Sequence, residues 1–293
     1  MKFKEVTTHS ALCLSAFFTL WLCGPAFNDA KAATDYQLVW SDEFNYTGAP
    51  DPAKWDYERG FVRNYEWQWY QEDNAVCRDG LLTITACEEH KPCPSYSEGA
   101  HNWRNNRPNI DWTSSCLITK GRKTFRFGRI EVRARIPVAP GAWPAIWFIG
   151  TADQGRWPGC GEIDLMEFYH IAGQPMLLAN ACWAGDKAES EVWQDTKRPL
   201  SHFSNPYWAE EFHTWRMDWD EQSLRLYVDD ELLNEVPLSK TVNGKAGNYE
   251  NPFLQPVYLL INLALRGEPK VWDTHALPMR LEVDYVRIYE AKH

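Results

Sequence analysis

Apolar and polar residues alternate in short runs along most of the chain, and Gly, Pro, Asn and Asp close the runs. The cleanest is Phe125-Arg-Phe-Gly-Arg-Ile-Glu-Val-Arg-Ala-Arg-Ile-Pro137. Its period of two predicts a strand with one face in a core and one in water. Similar runs predict strands over 36–44, 81–86, 113–119, 141–150, 176–183 and 281–289, with Arg78-Asp79-Gly80 turning the chain into the second of these. The run 256–265 is apolar almost throughout, as in a strand buried on both faces. Segments 212–219 and 223–230 predict a hairpin. Hardly any stretch carries a helical period. Many short strands between turns give an all-β sandwich, and no repeat, second domain or low-complexity linker divides it. Two segments read as loops. One is 87–112, rich in Pro, Asn, Ser and Arg, at one end of a cleft or on the surface; the other is 189–207, hanging over a cleft.

One strand breaks the alternation. In Gly161-Glu162-Ile163-Asp164-Leu165-Met166-Glu167-Phe168, regular pleating puts Glu162 and Asp164 on one face and turns Glu167 to the other, into a core. A lone carboxylate there is costly. One extra residue, a β-bulge at Leu165-Met166, returns Glu167 to its companions, and that bulge is expected. Three carboxylates on one surface repel one another, so at least one keeps its proton near neutral pH. Glycoside hydrolysis uses such an arrangement. One carboxylate attacks the anomeric carbon, and a protonated second serves the leaving oxygen and then activates water. In a retaining enzyme the two carboxyl groups stand roughly 5–5.5 Å apart, which side chains a few strand positions apart can reach. A calcium site or a solvated acidic strand would also carry three acids, but calcium loops are Gly/Asp/Asn-rich turns rather than apolar strands.

Composition narrows the partner. The chain has 293 residues and a formal charge of −10, which argues against nucleic acid and disfavours sulfated polysaccharides. Sixteen tryptophans exceed what a core needs. Indole faces stack on sugar rings, so an excess suits a carbohydrate cleft even with most of them buried. Trp143 and Trp147, four apart on one strand face, and Trp157, just ahead of the acids, are the candidate platforms. His170 is a candidate to bind substrate or to cap the following turn. Lys2 and Lys4, an apolar run over about 11–27 and then Ala30-Lys31-Ala32 form a secretory signal over 1–32. Cys23 raises a lipid anchor, but Leu22 before it is bulky where a small residue is expected. The remainder, 33–293, fits one domain, exported to the periplasm, the cell surface or the medium, with no further apolar run long enough to span a bilayer. Cys77, Cys87, Cys93, Cys116, Cys160 and Cys182 lie beyond the signal, and an even number in an exported protein suggests disulfides. Antiparallel pairing about a turn near Ile171-Ala172-Gly173 sets Cys160 opposite Cys182, a predicted bridge. Cys87 and Cys93 could clip the loop between them, which leaves Cys77 for Cys116.

Glu162-Ile-Asp164-Leu-Met-Glu167 resembles the E-x-D-x-x-E signature of glycoside hydrolase family 16, which holds laminarinases, mixed-linkage glucanases, agarases, carrageenases and some endo-β-galactosidases. Its surroundings resemble the family too, in Trp40-Ser-Asp-Glu-Phe44, Asn64-Tyr-Glu66-Trp-Gln68-Trp-Tyr70, the 125–137 run, Trp143-Pro-Ala-Ile-Trp147, the 212–230 hairpin, 256–264 and Val283-Asp284-Tyr-Val-Arg-Ile-Tyr289. The likeness spans 40–289 and implies a β-jelly-roll sandwich (concanavalin A-like) of two curved antiparallel sheets with a concave substrate cleft. It implies a retaining endo-β-glycosidase in which Glu162 is the nucleophile, Glu167 the acid/base, and Asp164 orients Glu162. Asn64 and Glu66 then belong to non-reducing-side subsites, and no cofactor serves the chemistry. Family members often hold a structural calcium far from the cleft, here at Asp284 with backbone oxygens near Gly80 and Glu43. Two positions depart from the pattern: Asp230 stands where a turn glycine is usual, and Arg266 precedes Gly267 where two glycines are common, which alters that loop and one subsite. The implied partner is a β-1,3/β-1,4-linked polysaccharide or glycan, taken by a monomer. It is either a β-glucan such as laminarin or mixed-linkage glucan, or a β-galactoside such as poly-N-acetyllactosamine of mucin O-glycans. The alternatives are a non-catalytic lectin on the same fold, and a transglycosylase that passes the covalent intermediate to a second sugar.

Overall fold

Alternation decides which face of each strand meets the core. The computed structural model describes residues 35–151 and 155–292, and seventeen strands form among them. In order these are β1 (Tyr36–Asp42), β2 (Asp56–Tyr57), β3 (Gln68–Tyr70), β4 (Ala75–Arg78), β5 (Leu81–Pro92), β6 (Asn109–Ser114), β7 (Cys116–Ile118) and β8 (Gly128–Arg135). Then come β9 (Ala142–Gly150), β10 (Glu162–Ile171), β11 (Gln174–Ala184), β12 (Glu191–Pro199), β13 (His213–Trp219), β14 (Ser223–Val228), β15 (Glu231–Pro237), β16 (Val257–Leu265) and β17 (Met279–Ala291). The other regular elements among these residues are short 3-10 turns. The signal segment expected over 1–32 lies outside the described residues.

The strands make two sheets. One has ten strands along the path β15-β14-β13-β8-β17-β5-β6-β3, with β1 on β17 and β4 on β5. The other has seven, in the order β12-β11-β10-β9-β16-β7-β2. Neighbours in space are distant in sequence, as where β16 separates β9 from β7. This is the connectivity of a jelly roll. Ile130, Val132 and Ala134 of β8 and Trp215, Met217 and Trp219 of β13 meet Ile146 and Phe148 of β9, Ile163 and Phe168 of β10, and Leu259, Ile261 and Leu263 of β16 in one buried cluster. Each large side chain so buried contributes about 1.5–3 kcal/mol.

Both expected loops contain strands. The segment 87–112 holds the end of β5 and the start of β6, and 189–207 holds all of β12. β12 lies at a sheet edge and the outer half of β5 is exposed or half-exposed throughout, so their sequences lack an apolar–polar contrast, whereas the start of β6 buries Ile110 beside Phe61 and Cys93. The expected disulfides are absent as well, since all six cysteines among the described residues are free thiols. The turn is Ala172-Gly173 and Ile171 pairs with Gln174, so Cys182 falls opposite Glu162 and not Cys160. Cys87 and Cys93 bracket extended β5 chain, six residues or roughly 20 Å, against a Cα separation of at most about 7 Å for a disulfide. Cys77 sits in the ten-stranded sheet and Cys116 in the seven-stranded one.

Gly128 opens β8 with φ +102°, and a Cβ there would stand 2.0 Å from the Tyr289 carbonyl oxygen of β17. We expect Gly128→Ala to destabilise the fold by roughly 3 kcal/mol or more. The measurement is a lowered urea midpoint at constant slope. An unchanged midpoint would mean that β8 and β17 separate at no cost.

Candidate active site

The bulge expected at Leu165-Met166 is present. Across β9 the register passes from Asp164–Trp147 to Met166–Ile146, and across β11 from Asp164–Asn180 to Glu167–Leu178. Leu165 and Met166 both enter the core beside Ile163 and Phe168. Glu162, Asp164, Glu167 and Tyr169 therefore line the same cleft. The apolar residues drive this choice, because a straight strand would bury a carboxylate and expel a methionine.

The cleft measures about 1260 Å³ and draws its lining from β9, β10, β11, β12, β16 and the loops at 63–67 and 266–268. Small-ligand pockets usually measure about 300–1,000 Å³, so this one suits a chain-like ligand. Each acid has an N–H partner. The Trp157 indole Nε1 donates to Glu162 Oε2 at 2.8 Å, and the Trp143 indole Nε1 donates to Glu167 Oε1 at 2.7 Å. Asn180, opposite Asp164 on β11, donates to Asp164 Oδ2 at 3.0 Å and to Glu167 Oε2 at 3.3 Å. One amide thus ties the middle acid to Glu167.

Burial raises all three carboxyl groups. Glu162 is pushed up to about 7, by burial first; the Trp157 N–H opposes the rise and the Glu167 charge adds to it. Asp164 is pushed well above the usual carboxylate range by burial and then by Glu162 and Glu167 on either side. Glu167 is raised by burial and held back by the Trp143 N–H, the Arg266 charge, Asn180 and Lys197. The group titrates as a unit. Raised groups of this kind suit a site that needs a protonated carboxyl beside an ionised one near neutral pH, the pair that attacks an anomeric carbon and protonates a leaving oxygen.

The other expected residues divide. Trp143 and Trp157 reach the acids, and Trp157 is 44% exposed and offers an open ring. Trp147 is floor: its Nε1 donates to Asn262 Oδ1 at 2.8 Å, and the Arg63 guanidinium covers its ring at 5.0 Å. Asn64 and Glu66 line the cleft. Glu66 is buried and accepts from Gln68 Nε2 at 2.7 Å and Asn64 Nδ2 at 3.3 Å, while Gln68 Oε1 accepts the Leu265 N–H at 2.8 Å. Together they moor the 63–67 loop to β16. His170 is not brought to the cleft. Alternation resumes after the bulge, and its ring meets Phe168 edge-on at 5.6 Å, away from the lining. Asp284, the acid expected to hold a calcium with backbone oxygens near Gly80 and Glu43, does not fit one. Its carboxylate is already paired with the Arg133 guanidinium. Sequence reasoning missed Asn180, Asn262, Arg63, Trp193, Asp195 and Lys197, all in the lining. Asn180 and Asn262 carried a signal, as lone amides inside apolar strands that need partners.

A jelly roll with three carboxyl groups in a row along an open, indole-lined cleft defines a class, the β-sandwich glycosidases. A model of the glycosyl hydrolases family 16 matches residues 61–287. The chain is 34% identical to a beta-glucanase of Rhodothermus marinus, over 99% of this chain and 96% of that one. It is 29% identical to a keratan-sulfate endo-1,4-beta-galactosidase of Sphingobacterium multivorum, over 88% of this chain and 56% of the relative. One solved structure, described under endo-acting O-glycanases that members of the human gut microbiota express to initiate mucin breakdown, matches with a TM-score of 0.77 at 32% identity, over 88% of this chain and 91% of that one. The chain belongs to glycosyl hydrolases family 16 and is a glycoside hydrolase.

Proposed function

We propose that the chain is an exported, retaining endo-β-glycosidase cutting internal β-1,3 or β-1,4 bonds of a β-glucan or a β-galactoside-containing glycan. The observation that carries the reading is the bulge, which lines up Glu162, Asp164 and Glu167 in an open cleft. By the order of the family motif, ionised Glu162 attacks the anomeric carbon while Glu167 gives its proton to the leaving oxygen. Glu167 then takes a proton from water, and that water displaces Glu162 with net retention. The Trp157 N–H steadies the charge on Glu162, and the Trp143 N–H aims Glu167. Export rests on the signal read over 1–32.

The near full-length likeness to a beta-glucanase favours glucan. The mucin O-glycanase neighbour, at a TM-score of 0.77, supports a second reading on β-galactosides. Incubation with laminarin, mixed-linkage glucan, agarose and mucin O-glycans, followed by chromatography and NMR of the first product, tests both. The expected result is a ladder of shorter oligosaccharides whose new reducing ends appear first as the β anomer. Release of the α anomer, products longer than the starting chain, or no product from any glycan would count against the reading.

A further inference from the structure

Arg266 follows β16 directly and leaves the sheet beside the acids. Its backbone is pinned twice: its N–H donates to the Gly141 carbonyl at 2.9 Å, and its carbonyl accepts the Trp272 indole N–H at 2.6 Å. Its guanidinium carbon lies 4.5 Å from the centre of the Trp143 ring and 4.2 Å from that of Tyr169. Those two rings meet edge to face at 5.9 Å. Trp143 is the residue whose indole N–H donates to Glu167. The other cleft cations are spent on carboxylates, Arg63 on Glu58 and Lys197 on Asp195. Among the described residues Arg266 has no such partner.

We propose that Arg266 is a positioning residue for the acid/base: lodged against Trp143 and Tyr169, it fixes the indole that holds Glu167 and sets an uncompensated positive charge beside that carboxyl. The inference rests on the acid/base role proposed for Glu167. A planar guanidinium stacks on aromatic faces with little reorganisation, so it can hold an indole as a mobile lysine cannot. Its charge also opposes the surroundings of Glu167. On its own strand Glu167 faces Glu162, Asp164 and Tyr169. From β12 it faces Asp195 and Lys197, and from β9 and β11 the neutral donors Trp143 and Asn180. Farther along the Arg266 loop, Glu268 is paired with Lys270. Burial favours the protonated form, and Arg266 favours the ionised one. It thereby lets the group release its proton in the first step and take one from water in the second.

The test is the pH dependence of kcat/KM for the wild type, R266A and R266K, on whichever glycan the enzyme cleaves, with E167Q alongside. Removing the positive charge and loosening the Trp143 N–H both raise the Glu167 pKa. In R266A the alkaline limb is therefore expected to move up by about half a pH unit or more, with kcat lowered by about tenfold through a misplaced acid. R266K keeps the charge and loses the planar stack, so its limb should return towards the wild-type position while kcat stays low. An R266A limb within about 0.2 units of wild type, or a loss confined to KM, overturns the inference; the latter would make Arg266 a plain subsite ligand. An inactive E167Q beside an unshifted R266A profile sinks this inference alone, whereas an active E167Q sinks the acid/base assignment itself.

Discussion

Glutamine at Glu162 or Glu167 is expected to lower kcat on the order of 10⁴-fold and, in the case of Glu162, to make the protein harder to melt. The two effects share one cause. The bulge gathers three carboxyl groups where water is scarce, and burial raises Glu162 from its ordinary value of 4.5 to about 7. The folded state therefore holds that proton more tightly than the unfolded chain does. The stability this contributes is fully present below the unfolded pKa, and it fades as pH rises through the folded one. Above about pH 7 the fold carries a buried charge at a penalty on the order of 2–3 kcal/mol. Glutamine keeps the shape, still accepts the Trp157 N–H and removes the charge. The melting temperature of Glu162→Gln should exceed that of the wild type by roughly 5 °C at about pH 8, and the gap should close towards about pH 5. In the wild type, kcat/KM should fall on the acid side with a limb well above the ordinary carboxylate range, because Glu162 must be ionised to attack. A Glu162→Gln protein that keeps near-wild-type activity removes the nucleophile assignment, and one that melts lower at every pH removes the account of the buried charge.

The acids were legible because parity is strict. Two residues separate Asp164 from Glu167, and a pleated strand accommodates that on one face only by a bulge. The strand β8 was legible for a related reason, since its apolar residues are buried and the charged ones between them are not. Where that contrast fails, so did the reading. β12 turns Trp193, Asp195 and Lys197 towards the cleft, all exposed, and half-buries Gln194, Thr196 and Arg198 on its other face, and nothing in Glu-Val-Trp-Gln-Asp-Thr-Lys-Arg separates the faces. The outer half of β5 is equally wet. His170 was misplaced by one pleat because alternation restarts after the bulge. Arg63 and Arg266 lie on loops, and their rings, Trp147 for one and Trp143 with Tyr169 for the other, come from distant strands. No local pattern encodes such a meeting. The departure from glycine at position 266 was visible, but its consequence needed the fold.

Asp164 separates two accounts of the same site. If it only filled space, alanine and asparagine would do equal harm. It is 6% exposed, accepts the Asn180 amide at 3.0 Å, and burial and two glutamates push it well above the usual range. That environment favours the neutral acid, which would accept from Asn180 on one oxygen and keep an O–H free to donate. Asparagine reproduces both features: its carbonyl accepts, its NH₂ donates, and the charge is unchanged. Alanine leaves the Asn180 amide short of a partner, opens a small cavity between the glutamates and removes their donor. We expect Asp164→Ala to lower kcat on the order of 10³-fold and Asp164→Asn by only about tenfold. The acid limb of kcat/KM should stay in place in the asparagine variant. An ionised Asp164 gives the opposite signature. Replacing it with asparagine would then take a negative charge from beside Glu162 and Glu167, lower both of their pKa values and move the acid limb down. Kinetics of the two variants across pH, on one substrate, decide whether the middle acid acts through its proton or through its charge.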